Sequence, residues 1–268
     1  MHGKMSCCLI AVVLVFSFLS HRKSKAQSID ELSLSGTTLI SRDIKTSANW
    51  YRRFLKMKVG EYRPDKHIKM SRNGFQLVLR KGRSTLLVDQ IIFAEGKKYI
   101  HGIDKIGFTT NQFDSLHMYF RRYEQKYHTQ PYFDKNLGVR TMVLKDPDGT
   151  KIQFFDLPDG EKDFKLIASF FAINASDYIT TLKWYTEKMG FSEMEVKDDS
   201  NAHFQTYLEK DGIILELIHL PYESIETTEF MPVDRDLASV ERLVFREGLA
   251  KKTIHKMDNN GNQIVYKK

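Results

Sequence analysis

The chain has 268 residues, of which 41% are hydrophobic and 12% aromatic, enough for one large or two medium globular domains. Its 41 basic and 34 acidic residues give a formal net charge of +7. Four of the 41 basic residues, Lys4, Arg22, Lys23 and Lys25, precede residue 27, which leaves 37 against 34 acidic residues, or +3. This near balance removes the main compositional support for nucleic-acid binding, so we expect no nucleic-acid partner.

Residues 1–26 have the parts of a secretory signal peptide. Lys4 supplies a positive charge, residues 9–19 form an apolar run, and residues 24–26 offer small side chains at a cleavage site. A membrane-spanning helix needs about 20 apolar residues, and basic residues cut this run short. We therefore expect cleavage, export to the periplasm or the cell exterior, and no membrane span afterwards. Both cysteines, Cys7 and Cys8, lie in this leader, so the mature chain would have no disulfide.

Two helices with the same pattern are predicted in the two halves of the chain. Asp43 begins the first, and Asp177 begins the second 134 positions later. Each helix has one apolar stripe, and the only two tryptophans, Trp50 and Trp184, coincide. The stripes consist of Ile44, Ala48, Tyr51 and Leu55 in the first helix and of Tyr178, Leu182, Tyr185 and Met189 in the second. The agreement indicates an internal duplication.

Strands are predicted around these helices, with the hairpin turns Asn73-Gly74 and Asp211-Gly212 at matching places. The first copy has strands 37–42, 58–63, 67–72 and 75–80, and the second has 167–173, 191–197, 203–209 and 213–220. Each copy is therefore a β-α-β-β-β module.

A further module of the same kind is predicted after each copy. One runs from strand 105–110 through a helix with Phe113, Leu116, Phe120 and Tyr123 to the turn Asp146-Pro147-Asp148-Gly149. The last and shortest starts at Glu229 and contains a predicted helix with Leu237, Val240 and Val244. It ends in a strand after Asp258-Asn259-Asn260-Gly261, which repeats the earlier turn with Asn-Asn for Pro-Asp.

Four such modules, with Asp-x-x-x-Ser/Thr-x-x-Trp-Tyr opening the first helix of a pair and Asp-Pro-Asp-Gly-x-x-Ile-x-Phe in the last strands, resemble the vicinal oxygen chelate superfamily. This superfamily includes glyoxalase I, extradiol dioxygenases and bleomycin resistance proteins. The resemblance implies an α+β fold of two curved, mostly antiparallel sheets backed by helices. It implies domains at 33–157 and 165–268, each of two consecutive modules, joined by a linker at 158–164.

In this superfamily the metal ligands come from the first and last strands of the modules in a pair. The matching positions are Gly36, Val78, Lys105 and Gln153 in the first predicted domain and Phe170, Glu216, Glu229 and Val265 in the second. Glycine, valine and a protonated lysine offer no lone pair, so we expect no metal in the first domain. Glu216 and Glu229 allow at most a weak divalent cation or a cationic ligand, and Glu216 can equally be a structural residue.

Strand alternation places a cluster of polar residues on the concave face of the first predicted domain. Its members are Thr38, Gln76, Arg80, Lys105 and Gln153. Their donors and net positive charge favour a small anionic ligand, unless Arg80 and Lys105 simply reach solvent at the rim.

The sequence therefore favours an exported protein of this fold that binds a small, anionic molecule without the usual metal or any other cofactor. A metal-dependent lyase or dioxygenase is the first alternative, with metal ligands at positions other than the matching ones or from another chain of a homodimer. A non-catalytic interaction module of the cell envelope is the second.

We predict that the mature protein begins near Gln27, because the charge, apolar run and small residues of the leader precede that position. Mass spectrometry of the protein from its native source measures this directly. A cytosolic product that retains Met1 would contradict the expected export.

Overall fold

The computed structural model describes residues 31–82, 98–100, 102–157, 163–195, 205–218, 229–231, 240–248 and 252–267. The first module comprises β1 (Ser33–Ser41), α1 (Ile44–Phe54), β2 (Lys58–Arg63), β3 (His67–Arg72) and β4 (Phe75–Lys81), and β5 (Lys98–Ile100) follows it. The second module comprises β6 (Gly102–Thr110), α2 (Phe113–Arg122), β7 (Tyr127–Asp134), β8 (Val139–Lys145) and β9 (Lys151–Asp156).

The second half of the chain repeats this arrangement. The third module comprises β10 (Leu166–Asn174), α3 (Tyr178–Lys183), β11 (Ser192–Glu193), β12 (Gln205–Lys210) and β13 (Ile213–Ile218), with a π-helical turn at Trp184–Lys188 continuing α3. After β14 (Glu229–Met231), the fourth module comprises β15 (Val240–Arg246), β16 (Ile254–Met257) and β17 (Gln263–Lys267). No helix in these described ranges is long and apolar enough to cross a membrane.

The duplicated helices and hairpins form where the local signals predict them. The Asp43 carboxylate accepts hydrogen bonds from the backbone N–H groups of Lys45 and Thr46, at 3.0 and 3.2 Å, and so caps α1. The Asp177 carboxylate caps α3 by accepting from the backbone N–H of Thr180 at 3.0 Å. Both hairpin turns have positive φ at their two central residues, 48° and 80° at Asn73-Gly74, as a two-residue turn between twisted strands requires.

Two curved sheets form the main part of the fold, as predicted, and each combines two modules. Sheet 1 has the order β16-β17-β15-β1-β4-β3-β2, and sheet 2 has the order β11-β12-β13-β10-β6-β9-β8-β7. The first module therefore pairs with the fourth through antiparallel β1 and β15, and the second pairs with the third through antiparallel β6 and β10. The expectation that the first module shares a sheet with the second, and the third with the fourth, was wrong.

The predicted helix in the fourth module was also wrong. Val240 and Val244 lie in strand β15, and Leu237 lies outside the described residues. Leu243 and Phe245 are buried while Val244 between them is only half-buried, so the segment follows the two-residue period of a strand. Pairing on both sides, with β1 and β17, determines this conformation.

One face of each sheet packs with the helices in a common hydrophobic core. The core side chains include Leu39, Leu79, Phe108, Phe154, Phe171, Leu215 and Phe245 from the sheets and Tyr51, Phe54 and Phe120 from the helices. The opposite face of sheet 2 carries a smaller apolar cluster around Phe155, Phe170 and Tyr207. This second face carries a polar cavity.

The Asp-Pro-Asp-Gly turn joins the second module to the helix of the first. The buried Tyr51 hydroxyl donates to Asp146 Oδ2 at 2.8 Å, while Asp146 Oδ1 accepts from the backbone N–H groups of Asp148 and Thr150. Burial and the Asp148 carboxylate raise the pKa of Asp146 to about 7, and the bond from Tyr51 opposes this rise. The charged carboxylate therefore depends on these donors.

The same clamp joins the third and fourth modules. Tyr185 donates to Asp258 Oδ2 at 2.8 Å. Asn260 replaces Asp148, and its side-chain oxygen accepts from the backbone N–H and the hydroxyl of Ser176 at 3.0 and 2.9 Å. Because an asparagine side-chain oxygen also accepts hydrogen bonds, the Asn-Asn variant of the turn keeps its structural role.

We predict that Tyr51→Phe lowers the free energy of unfolding by about 1–3 kcal/mol, because it leaves the buried Asp146 oxygen without its donor. Tyr62→Phe is the matched control, since Tyr62 is 43% exposed on the edge strand β2. Urea unfolding of the two variants and the wild type measures the difference. Equal losses in both variants would show that the clamp contributes nothing specific.

Candidate functional site

A polar cavity of about 260 Å³ lies on the open face of sheet 2. Its lining comes from the second module and the third, so neither half of the chain could form it alone. The lining residues are Lys105, Tyr132, Phe133, Asp134, Lys135, Asn136, Gln153, Gln205, Tyr207 and Glu216.

The strand registers identify the positions that match the metal-ligand positions of the predicted fold. In each module, the matching position on the last strand is the cross-strand partner of the residue two places after the matching position on the first strand. Gln153, for example, pairs with Gly107, two places after Lys105, and Glu216 pairs with Ala172, two places after Phe170. By this rule sheet 2 carries Lys105, Gln153, Phe170 and Glu216, and sheet 1 carries Gly36, Val78, Arg242 and Val265.

Lys105 and Glu216 form a largely buried ion pair in the lining of the cavity. Lys105 Nζ lies 2.8 Å from Glu216 Oε2, and the two side chains are only 14% and 3% exposed. Gln205 Nε2 donates to the other carboxylate oxygen at 2.9 Å. The ammonium also lies 5.7 Å from the centre of the Phe170 ring, so it has an aromatic face beside it.

The charges of this pair depend on each other. Burial by itself would lower the pKa of Lys105, but the carboxylates of Glu216 and Asp104 outweigh it and raise this pKa above its usual value. Burial raises the pKa of Glu216, and the Lys105 ammonium acts against that rise. Removing either partner would leave an uncompensated charge in a dry environment.

Three uncharged side chains add hydrogen-bonding groups around the pair. Gln153 Nε2 donates to Thr141 Oγ1 at 3.0 Å, while its buried Oε1 has no partner among the described residues. Burial raises the pKa of Tyr207 well above its usual value, and burial together with Asp134 raises the pKa of Tyr132 to about 12. Both phenols therefore stay protonated near neutral pH and can donate hydrogen bonds.

Buried aromatic side chains pack against the lining residues, and Phe155 and Phe170 belong to one apolar cluster with Tyr207. The Phe155 and Phe170 ring centres are 4.9 Å apart. A Cβ atom at Gly107 would lie only 2.9 Å from Phe170, so this position must be glycine for the ring to approach the strand. Phe170 occupies one of the four matching positions and closes it to any polar group.

The residues at the matching positions do not fit a divalent metal. On sheet 2 only Gln153 and Glu216 have donor oxygens, whereas a protein metal site usually has about three or four ligands. The Lys105 ammonium, itself a cation, faces the Glu216 carboxylate that would have to bind the metal. On sheet 1 no residue at these positions has a side-chain oxygen, and a Cβ at Gly36 would meet the Gln76 carbonyl oxygen at 2.5 Å.

The structure divides the predicted anion cluster between the two sheets. Lys105 and Gln153 line the cavity of sheet 2, whereas Thr38, Gln76 and Arg80 lie in strands β1 and β4 of sheet 1. Arg80 makes a two-point ion pair with Glu241 at 3.0 and 3.1 Å. The predicted convergence of Arg80 with Lys105 was wrong, because sheet pairing separates their modules.

The structure also corrects the position of Glu229. It lies in β14, which pairs with β5 in a separate two-stranded sheet, whereas the first strand of the fourth module is β15 and carries Arg242 at the matching position. Glu216 and Glu229 belong to different sheets. The weak cation site predicted from these two carboxylates therefore remains a prediction, and no strand pairing brings the two residues together.

Sequence reasoning missed several lining residues, including Gln205, Tyr207, Tyr132 and Asp134. Tyr207 pairs directly with Glu216, and Gln205 follows the same two-residue alternation in β12. This alternation could have identified both as neighbours of Glu216. Strand alternation could not identify Tyr132 and Asp134 in β7, because register shifts interrupt the pairing of β7 with β8.

These sheets, built from three β-α-β-β-β modules and a fourth module with three strands among its described residues, have the predicted glyoxalase/dioxygenase-type fold. A mutant form of glyoxalase I from Zea mays is similar over 94% of this chain and 96% of its own, with a TM-score of 0.61 and 14% identity. The unmodified Zea mays enzyme matches with a TM-score of 0.59 and 12% identity, covering 93% and 94% of the two chains.

A predicted dioxygenase from Bacillus subtilis matches with a TM-score of 0.60 and 9% identity, over 88% of this chain and 85% of its own. No protein-family model and no curated protein matches the sequence. At these identities the similarity confirms the predicted fold and says nothing further about the chemistry of the cavity.

We predict that the purified protein contains well under one transition metal per chain and that a chelator leaves its melting temperature unchanged. The reason is the small number of donor oxygens at the matching positions. A site filled at a hundredfold excess over Kd would stabilise the fold by about 2.7 kcal/mol, which a melting curve would detect. Stoichiometric iron, zinc or manganese that survives dialysis would contradict this prediction.

Proposed function

We propose that this protein is an exported member of the fold class that binds a small polar molecule in the sheet 2 cavity without a metal at the matching positions. The observation that carries the proposal is the buried Lys105–Glu216 pair, which lines a polar cavity of about 260 Å³. Buried charges are costly unless they are paired, so a pair kept beside a cavity favours a recognition role.

The hydrogen-bonding groups around the pair support the same proposal. Gln153 offers an acceptor without a partner among the described residues, and Tyr207 offers a phenolic donor. A ligand with both donors and acceptors would satisfy them, while Phe133 in the lining provides an apolar contact. The binding free energy would come from a few polar contacts beside an aromatic side chain.

The anionic ligand predicted from the sequence depended on Arg80 and Lys105 lying on one face. They lie on different sheets, and each is paired with a carboxylate of its own sheet. A metal-dependent lyase or dioxygenase remains the alternative, as the names of the similar structures suggest. It would need metal ligands from another chain or from outside the described residues.

We predict that ligands found by screening small polar molecules bind Tyr207→Phe about 0.5–1.5 kcal/mol more weakly than wild type, because the variant lacks one hydrogen-bond donor in the cavity. The control is Tyr62→Phe, which removes an exposed hydroxyl from sheet 1. Calorimetric titration measures both affinities. Ligands that bind all three proteins equally would lie outside this cavity and remove the support for the proposed site.

A further inference from the structure

We propose that Glu216 makes the sheet 2 cavity selective for molecules without net charge, either uncharged or zwitterionic, by cancelling the charge of Lys105. This inference rests on the proposed function, because it concerns the ligand class of the same cavity. It assigns Glu216 a selectivity role distinct from the metal ligation or structural role considered from the sequence.

The charges near the cavity balance. Among the described lining residues Lys105 and Lys135 are basic, and Asp134 and Glu216 are acidic. Immediately next to Lys105 along β6, Asp104 is paired with Lys151 through an Nζ–Oδ1 distance of 2.8 Å. The cavity therefore offers neither a net positive nor a net negative field to an entering molecule.

The geometry of the pair determines what a charged ligand would experience. Lys105 Nζ and Glu216 Oε2 are in direct contact at 2.8 Å, and both side chains are almost fully buried. An anion that reached the ammonium would also lie beside the carboxylate, with little solvent to screen the repulsion. A cation next to Glu216 would meet the same problem with Lys105.

A ligand without net charge avoids this repulsion and can still use both members of the pair. The Lys105 ammonium has three N–H donors, and each carboxylate oxygen of Glu216 can accept more than one hydrogen bond. Hydroxyl, amide or carbonyl groups match these groups and the Gln153 acceptor. A zwitterion would present its negative group to Lys105 and its positive group to Glu216.

Three probes of nearly identical shape test the charge selectivity, namely acetamide, acetate and acetamidinium. Titrations at constant ionic strength, followed by NMR, compare the wild type with Glu216→Gln, Lys105→Gln and the double variant. We expect Glu216→Gln to bind acetate at least about tenfold more tightly than the wild type does, because its cavity retains an unopposed ammonium. Lys105→Gln should gain acetamidinium binding in the same way, and the double variant should gain neither.

Glutamine retains the size and one acceptor oxygen of Glu216, which favours a folded variant. If Glu216→Gln does not fold, Lys105→Gln supplies the reciprocal comparison, with acetamidinium as the probe that should bind more tightly than it binds to the wild type. Acetate binding to the wild type as tight as to Glu216→Gln, or acetamidinium binding to the wild type as tight as to Lys105→Gln, would overturn the inference. So would a gain of acetate binding that persists in the double variant, since Lys105 would not be its source.

The failure of this inference can be distinguished from failure of the proposed function. If screening finds a cavity ligand that is anionic and that binds wild type and Glu216→Gln equally, the charge selectivity is wrong and the binding function stands. If the variants gain the expected probes but no cavity ligand of the wild type is found, the selectivity holds and the proposed function loses its support.

Discussion

The buried hydrogen bond from Tyr51 to Asp146, with its copy from Tyr185 to Asp258, is the constraint on which the arrangement of the modules depends. These clamps join neighbouring modules, the first to the second and the third to the fourth. The sheets join different pairs, the first to the fourth and the second to the third. Each module is therefore held by one polar clamp and one strand pairing, and the four form a closed ring.

Local features of this fold could be predicted from the sequence, and non-local ones could not. The caps at Asp43 and Asp177, the Asn73-Gly74 hairpin and the repeated turn follow from short-range chemistry, and all form as predicted. Which modules share a sheet depends on contacts between distant strands, for which periodicity carries no information. The fourth module lacks a helix among its described residues, and an apolar run there was read with the wrong period.

The candidate site shows the same division. Lys105 and Gln153 were found because strand position decides which way a side chain faces, and that rule holds within each module. Glu216 was found because it matches a metal-ligand position of the family that the sequence resembles. That these residues line one cavity could not be predicted without knowing which modules share a sheet. For that reason Arg80 was wrongly predicted to lie beside Lys105, and Tyr207 was missed. The shared cavity also changes the chemistry, because Lys105, predicted to bind an anion, has the buried Glu216 carboxylate at 2.8 Å.

Because strands β1 and β15 pair, the two ends of the described chain belong to one sheet, and this has a consequence for biosynthesis. Ser35 and Val244, joined by a hydrogen bond across these strands, are 209 residues apart, whereas Thr109 and Ile167, bonded across β6 and β10, are 58 apart. The longer closure costs only about 1 kcal/mol more in chain entropy, so it weakens the finished protein little. It does affect timing, since a ribosome releases β15 and β17 last. Sheet 2 can close while synthesis continues, but β1 must wait as an unpaired edge, exposed to chaperones and to other nascent chains until the final strands emerge.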